Sequence, residues 1–157
     1  MAIYQFTVVL LPNHWVSAKN INIDDLFTKE GYDISAAWKQ YPPIQHLDSL
    51  LTEILPKGKS WHSDLKIWGN QKYSDIQVWY QNGILDDITM RFDLRQNVSG
   101  LISKTVTLAI KLNCDFLFPE KRKIIKANIS ELKEAIRNSD AAKFVKNPRL
   151  FLDNLSN

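Results

Sequence analysis

Residues 76–95 read Ile76-Gln77-Val78-Trp79-Tyr80-Gln81-Asn82-Gly83-Ile84-Leu85-Asp86-Asp87-Ile88-Thr89-Met90-Arg91-Phe92-Asp93-Leu94-Arg95. Apolar and polar residues alternate on both sides of Asn82-Gly83, the pattern of two half-buried strands joined by a tight turn. A two-residue loop on Asn82 and Gly83 pairs Tyr80 with Leu85 and Ile76 with Thr89, which sets Ile76 and Ile88 on opposite faces. A three-residue loop, Gln81-Asn82-Gly83, pairs Tyr80 with Ile84 and Ile76 with Ile88, and the apolar faces agree. A slip of one residue turns every side chain to the other face, so the reading favours the three-residue loop with Gly83 left-handed. The core face then carries Ile76, Ile88, Met90, Phe92 and Leu94. The polar face carries Gln77 and Trp79 from the first strand and Thr89, Arg91, Asp93 and Arg95 from the second. Trp68, on the strand before, joins them.

Upstream of the hairpin, Leu65 to Trp68 alternates and reads as a third strand. Residues 3–11 are rich in β-branched and aromatic side chains and stop at Pro12; the unbroken apolar run Val8 to Leu11 predicts a central strand buried on both faces. Ile44, Leu47, Leu50, Leu51 and Ile54 recur at spacings of three and four, predicting a helix over 44–55 that begins after Pro43 and ends at Pro56-Lys57-Gly58. Short helical turns are expected at 24–27, with Asn22 as cap, and at 33–40. Downstream, Leu101, Ile102, Thr105, Val106, Leu108, Ala109 and Leu112 give a wide apolar stripe for a helix over 99–113 with Ser99 as candidate cap. Residues 115–118 form a short strand, and Ser130 caps a helix with Leu132, Ala135 and Ile136 on its apolar face. Two helical pieces follow at 140–145 and 148–155. Helices gathered around one long antiparallel run predict an α+β fold, a mostly antiparallel sheet covered mainly on one side by helices, in a single domain over 1–157.

The chain needs no staples at 157 residues, and it has the means for none. Its one cysteine, Cys114, excludes an internal disulfide and paired-cysteine zinc sites, and reads as a small buried hydrophobe. The apolar N-terminus is short and has no preceding positive charge, so it is not read as a signal peptide, and no apolar run approaches a membrane span. A cytoplasmic location is the expectation. Residues 1–78 carry 7 Lys/Arg against 8 Asp/Glu, and the remainder 13 against 9, with cations gathered at Lys121, Arg122, Lys123 and Lys126. Nucleic-acid binding usually needs a stronger basic stripe with interleaved aromatics; nucleic acid is the less expected partner.

His14, His46 and His62 are not spaced with one another or with carboxylates as metal ligands are. The tetrapeptide Trp61-His62-Ser63-Asp64 does not make a triad, because adjacent residues do not converge on one reacting atom. No catalytic residue, metal or cofactor is therefore assigned. Asp86 and Asp87 read as exposed residues at the hairpin mouth. The polar face of the hairpin stands out. Arg91, Asp93 and Arg95 are either a solvated ion-pair ladder, each pair contributing little, or part of an interface with Trp68 and Trp79, since Trp and Arg dominate interface hot spots.

Asp75-Ile76, Arg91-Phe92-Asp93-Leu94-Arg95, the helix ending Leu112-Asn113-Cys114, and the tail from Ser139 to Pro148 followed by Phe151-Leu152 resemble small bacterial immunity proteins found beside polymorphic toxin genes. The resemblance spans roughly residues 64–155. It implies a non-enzymatic protein that neutralises a cognate toxin domain by tight stoichiometric binding, as in contact-dependent growth inhibition. The basic C-terminal half departs from the acidic character frequent among neutralisers of nucleases. On this reading the partner-binding candidates are Trp68, Trp79, Arg91, Asp93 and Arg95. The alternatives are a small-molecule-binding protein or enzyme with a pocket between the sheet and residues 13–42, and a weak nucleic-acid-binding module using Lys121 to Lys126.

Overall fold

The computed structural model describes residues 2–43 and 46–155 and is an α+β fold. Six strands make one antiparallel sheet: β1 (Gln5–Pro12), β4 (Leu65–Gly69), β5 (Asp75–Gln81), β6 (Ile84–Asp93), β7 (Cys114–Phe118) and β8 (Lys123–Ile125), in the order β4-β5-β6-β1-β7-β8. The apolar run of β1 sits between β6 and β7, where both faces are covered, and Val8, Val9, Leu10 and Leu11 are all buried. A separate two-stranded ribbon, β2 (Phe27–Thr28) and β3 (Gly31–Tyr32), follows α1 (Asn13–Lys19) and a 3-10 turn at Ile23–Leu26, which Asn22 caps through the Asp24 N–H.

The hairpin corrects the expected loop. Gln81 pairs directly with Ile84, so the loop is the two-residue Asn82-Gly83, both with positive φ (53° and 77°). That is the backbone a tight hairpin turn requires, and Asn and Gly adopt it at least cost. The apolar faces still agree, by another device. Tyr80 pairs with Leu85 but Trp79 pairs with Asp87, leaving Asp86 as the extra residue of a bulge. The register then runs Val78 with Ile88 and Ile76 with Met90. Ile76, Val78, Ile88, Met90 and Phe92 are buried, and Leu94 is half-buried against the same core.

The face bearing these residues also carries Trp68, which pairs with Ile76. Helix α3 (Leu47–Thr52) lies over it: the Trp68 indole donates to Thr52 Oγ1 at 3.0 Å, and Lys66 Nζ donates to Asp48 at 3.0 Å. Of the expected 44–55 helix, Ile44 lies outside the described residues and the helical turns end at Thr52. Helix α4 (Ser99–Lys111) packs beside α3 and β7 with Ile102, Val106, Leu108 and Ala109 inward. Its cap is not Ser99; the Asn97 carboxamide accepts the Ser99 N–H instead. Likewise α5 (Ile129–Arg137) is capped by Asn128, which accepts from the Glu131 N–H, two residues earlier than the expected Ser130. Helix α2 (Ser35–Gln40) packs on β6 and β1, and α6 (Asp140–Lys146) and α7 (Pro148–Leu155) close the chain, their Phe144 and Phe151 rings packed edge to face. No helix of the described residues is long and apolar enough to cross a membrane.

Cys114 is buried, and burial pushes its thiol up to about 12, which suits a packing residue and not a nucleophile. The Phe92 ring packs with Phe6, and Phe6 with Phe118, at centroid separations of 6.1 and 4.9 Å, which ties β6, β1 and β7 together. Phe92→Ala empties the β6 end of that row and is expected to cost about 3–5 kcal/mol of stability, measured by urea unfolding at constant slope. A cost below about 1 kcal/mol would show that the ring is not in the core.

Candidate protein-binding surface

The opposite face of the hairpin carries Asp75, Gln77 and Trp79 on β5 and Asp87, Thr89, Arg91 and Asp93 on β6, cross-strand partners of one another or of β1. Four of the five expected contact residues belong to this face or its end. Trp68 does not: the pleat turns it to the other side, where it is fully buried, and it is removed from the candidates. The cause is the alternation itself, since Trp68 shares its face with Ile76 and not with Gln77.

The charged residues prove to hold the sheet together. Asp75 is 1% exposed, and Arg91 caps it with a bidentate pair, its Nε donating at 2.6 Å and its Nη2 to the second oxygen. Gln77 donates to the same carboxylate at 3.1 Å. Asp93 is fully buried and bonded by Arg95 through both oxygens at 2.9 Å. That fork and the Arg95 backbone N–H hold the Asp93 carboxyl below the usual carboxylate range. The Arg95 guanidinium lies 3.5 Å from the Tyr4 ring centre and donates to the Lys72 carbonyl. Gln5 also reaches that turn, donating to the Gln71 and Tyr73 carbonyls at 3.0 and 2.6 Å. Gly69 makes the turn possible: its φ is +83°, and a Cβ there would stand 2.5 Å from the Ser74 carbonyl oxygen. Removing one partner of a buried ion pair costs roughly 3–5 kcal/mol. Arg91 and Asp93 are thus positioning residues of the sheet.

What remains open on this face is aromatic. The chain leaves α3, runs along the β4 edge with Gly58 N–H bonded to the Ile67 carbonyl, and turns over the sheet at residues 60–64. Ser60 Oγ accepts the His62 N–H, and His62 Nδ1 accepts the Asp64 N–H, so two side-chain turns fix the loop. The loop sets the Trp61 and His62 rings on Trp79, each 5.5 Å from it between centroids, at 71° and 54°. Trp79 is half-buried beneath them and Trp61 is 64% exposed. The rings against Trp79 come from the 60–64 loop, while α6 packs on β1. The sequence reading passed over Trp61 and His62 because it tested the tetrapeptide only for catalysis; two aromatics before a strand that carries another were the available signal.

Beside Trp79, across the strand pair, stands Asp87. It accepts from the Tyr32 hydroxyl at 2.6 Å and from Thr89 at 3.3 Å. Asp87 lines a cleft of about 360 Å³ between the hairpin and residues 28–35, together with Glu30, Tyr32, Asp33 and Asp86. It is one of the cavities between the sheet and residues 13–42 where the ligand-binding alternative expects a pocket. Burial pushes the Asp87 carboxyl up to about 6, against the pull of the Tyr32 and Thr89 hydrogen bonds, and Asp86 and Asp33 add repulsion. Burial and Asp87 raise the Tyr32 phenol as well, so it stays protonated as the donor. The basic cluster is partly neutralised: Arg122 stacks 4.5 Å from the Phe27 ring centre and lies 3.9 Å from Asp24, and Lys126 lies 3.4 Å from Asp115. His14 faces Tyr41 at 6.3 Å, and His46 is exposed at the start of α3.

Comparison of the chain with protein-family models, with curated proteins and with solved structures finds no match.

The raised Asp87 carboxyl carries a sign. Between about pH 4 and about pH 6 the folded chain keeps a proton that the unfolded chain has released, so stability falls as pH rises through this window. Asp87→Asn removes that loss and retains an acceptor for Tyr32. Relative to the parent, the variant should gain on the order of 2 kcal/mol between about pH 4 and about pH 7, read from urea unfolding at both pH values. An unchanged difference would mean that Asp87 ionises freely.

Proposed function

We propose that the chain is an immunity protein that binds a cognate bacterial toxin domain stoichiometrically, with the Trp61–His62–Trp79 surface as its centre. One observation carries the reading: a large indole held 64% exposed by a hydrogen-bonded loop, packed on a second indole rooted in a rigid strand. Leaving aromatic area in water is unfavourable unless a partner covers it. Rigid aromatic anchors lose little conformational freedom on binding and dominate hot spots. The sequence resemblance supplies the class of partner. On this reading the protein acts in the cytoplasm, without cofactor or catalytic step, and Arg91, Asp93 and Arg95 serve by keeping β5 and β6 in place under Trp79. The small-molecule alternative rests on the Asp87 cleft, whose lining is mainly polar and acidic, and on an apolar cavity of about 360 Å³ among Phe6, Tyr32 and Phe118 that holds few convergent polar groups.

Trp61→Ala and Trp79→Ala should each weaken binding by about 2 kcal/mol or more, the usual hot-spot threshold, with little loss of melting temperature for Trp61→Ala. Titration calorimetry against the C-terminal domain encoded by the adjacent upstream gene measures this. No complex, or equal affinity for parent and both variants, would refute the proposal.

A further inference from the structure

The aromatic surface does not stand alone. Asp87 is the cross-strand neighbour of Trp79, and the cleft that opens from it is walled by Glu30, Asp33 and Asp86. Among the described residues, no ion pair reaches any of these four carboxylates, whereas the buried Asp75 and Asp93 each hold an arginine. Lys39 lines an adjoining groove with Asp86, and Lys29 stands in the ribbon between Thr28 and Glu30, but neither forms an ion pair with these carboxylates. The chain's main basic cluster, at residues 121–126, lies at β8, at the opposite edge of the sheet from β4, and its Arg122 is engaged by Asp24 and the Phe27 ring at the base of the ribbon. Net charge is +3, yet this end of the hairpin is acidic.

The cation–π contacts point the same way. Lys57 sits over Trp68, Lys66 over Tyr80, Arg95 over Tyr4 and Arg122 over Phe27. Among the described residues no cation occupies the face of Trp61 or Trp79, although indole is the strongest partner for one. The exposed rings and the unpaired carboxylates share one side of the hairpin and lack the same thing.

We propose that the partner docks a basic protein surface here, placing an arginine or lysine against Trp61 and Trp79 and further cations in the carboxylate cleft. This rests on the protein-binding reading above and names the chemistry of the partner's contact face. Complementary charge of this kind steers association and excludes acidic surfaces more than it adds raw affinity. It also gives the basic C-terminal half no part in the contact.

The test uses the five tryptophans of the full chain as reporters. The ¹⁵N-labelled protein is titrated with a short Arg-Gly peptide and with its Glu-Gly counterpart, following the indole N–H resonances. The arginine peptide should shift Trp61 and Trp79 and leave Trp15, Trp38 and Trp68 in place; the glutamate peptide should shift none. Raising NaCl from about 50 to about 500 mM, or the substitutions Glu30→Gln and Asp86→Asn together, should weaken the arginine peptide roughly tenfold or more. The salt arm needs no variant to fold. Equal response to both peptides, or shifts confined to other tryptophans, would overturn the inference. Toxin-domain binding through Trp79 with an association rate indifferent to salt would overturn it and leave the proposed function standing. An arginine-selective response without any capture of the toxin domain would support the charge preference and overturn the toxin reading.

Discussion

A tight turn and an apolar strand face make conflicting demands on the β5–β6 hairpin, and the bulge at Asp86 reconciles them. Asn82-Gly83 closes the loop in two residues, which continued without interruption would set Ile76 opposite Thr89. Each apolar side chain turned out of the core forfeits about 1.5–3 kcal/mol of burial, and four residues of the pair are at stake: Ile76, Val78, Ile88 and Met90. One extra residue costs a ladder bond and restores them all. Everything on the other face follows from that choice. Trp79 points away from the core, Asp87 becomes its neighbour, and Arg91 comes opposite Asp75.

The second consequence is that buried charge sits where an interface was anticipated. Asp75 and Asp93 have almost no exposure, so each requires its arginine to be tolerable at all. Arg95 also joins Tyr4, the Lys72 carbonyl and Tyr73, so the β4–β5 turn is held against the start of β1. These contacts stiffen the strands without offering area to a partner. The exposed aromatic area comes instead from the 60–64 loop, whose side-chain-to-backbone hydrogen bonds fix the Trp61 ring over Trp79 at no demand on the core. Rigid support and exposed anchor are thus supplied by different segments.

Period-two and period-3.6 patterns made most of the fold legible. The central position of β1 could be read from the unbroken apolar run Val8 to Leu11, and the buried row of β6 from the strict alternation of Ile88, Met90 and Phe92 with polar residues. The short strand β8 and helix α1 escaped, being three and seven residues long and set by pairing and packing that no local pattern announces. The bulge escaped for a related reason: alternation is preserved on each side of it, so only the pairing partner reveals the extra residue. Of the surface, Trp79 was legible from alternation. Trp68 was not, because its face depends on how β4 registers with β5. Trp61 and His62 depend on a loop folding back over a sheet edge, a tertiary event to which sequence spacing is blind.

The central claim is that a protein partner covers the Trp61–His62–Trp79 surface. Hydrogen exchange of the full chain, alone and with the domain proposed as its toxin partner, tests it without substitutions. The account predicts slowed exchange across residues 59–64 and in the hairpin-end residues 77–81 and 84–88, with residues 119–126 unchanged. Protection confined to 119–126, or to the outer face of α4, with the 59–64 loop exchanging as in the free chain, would contradict it.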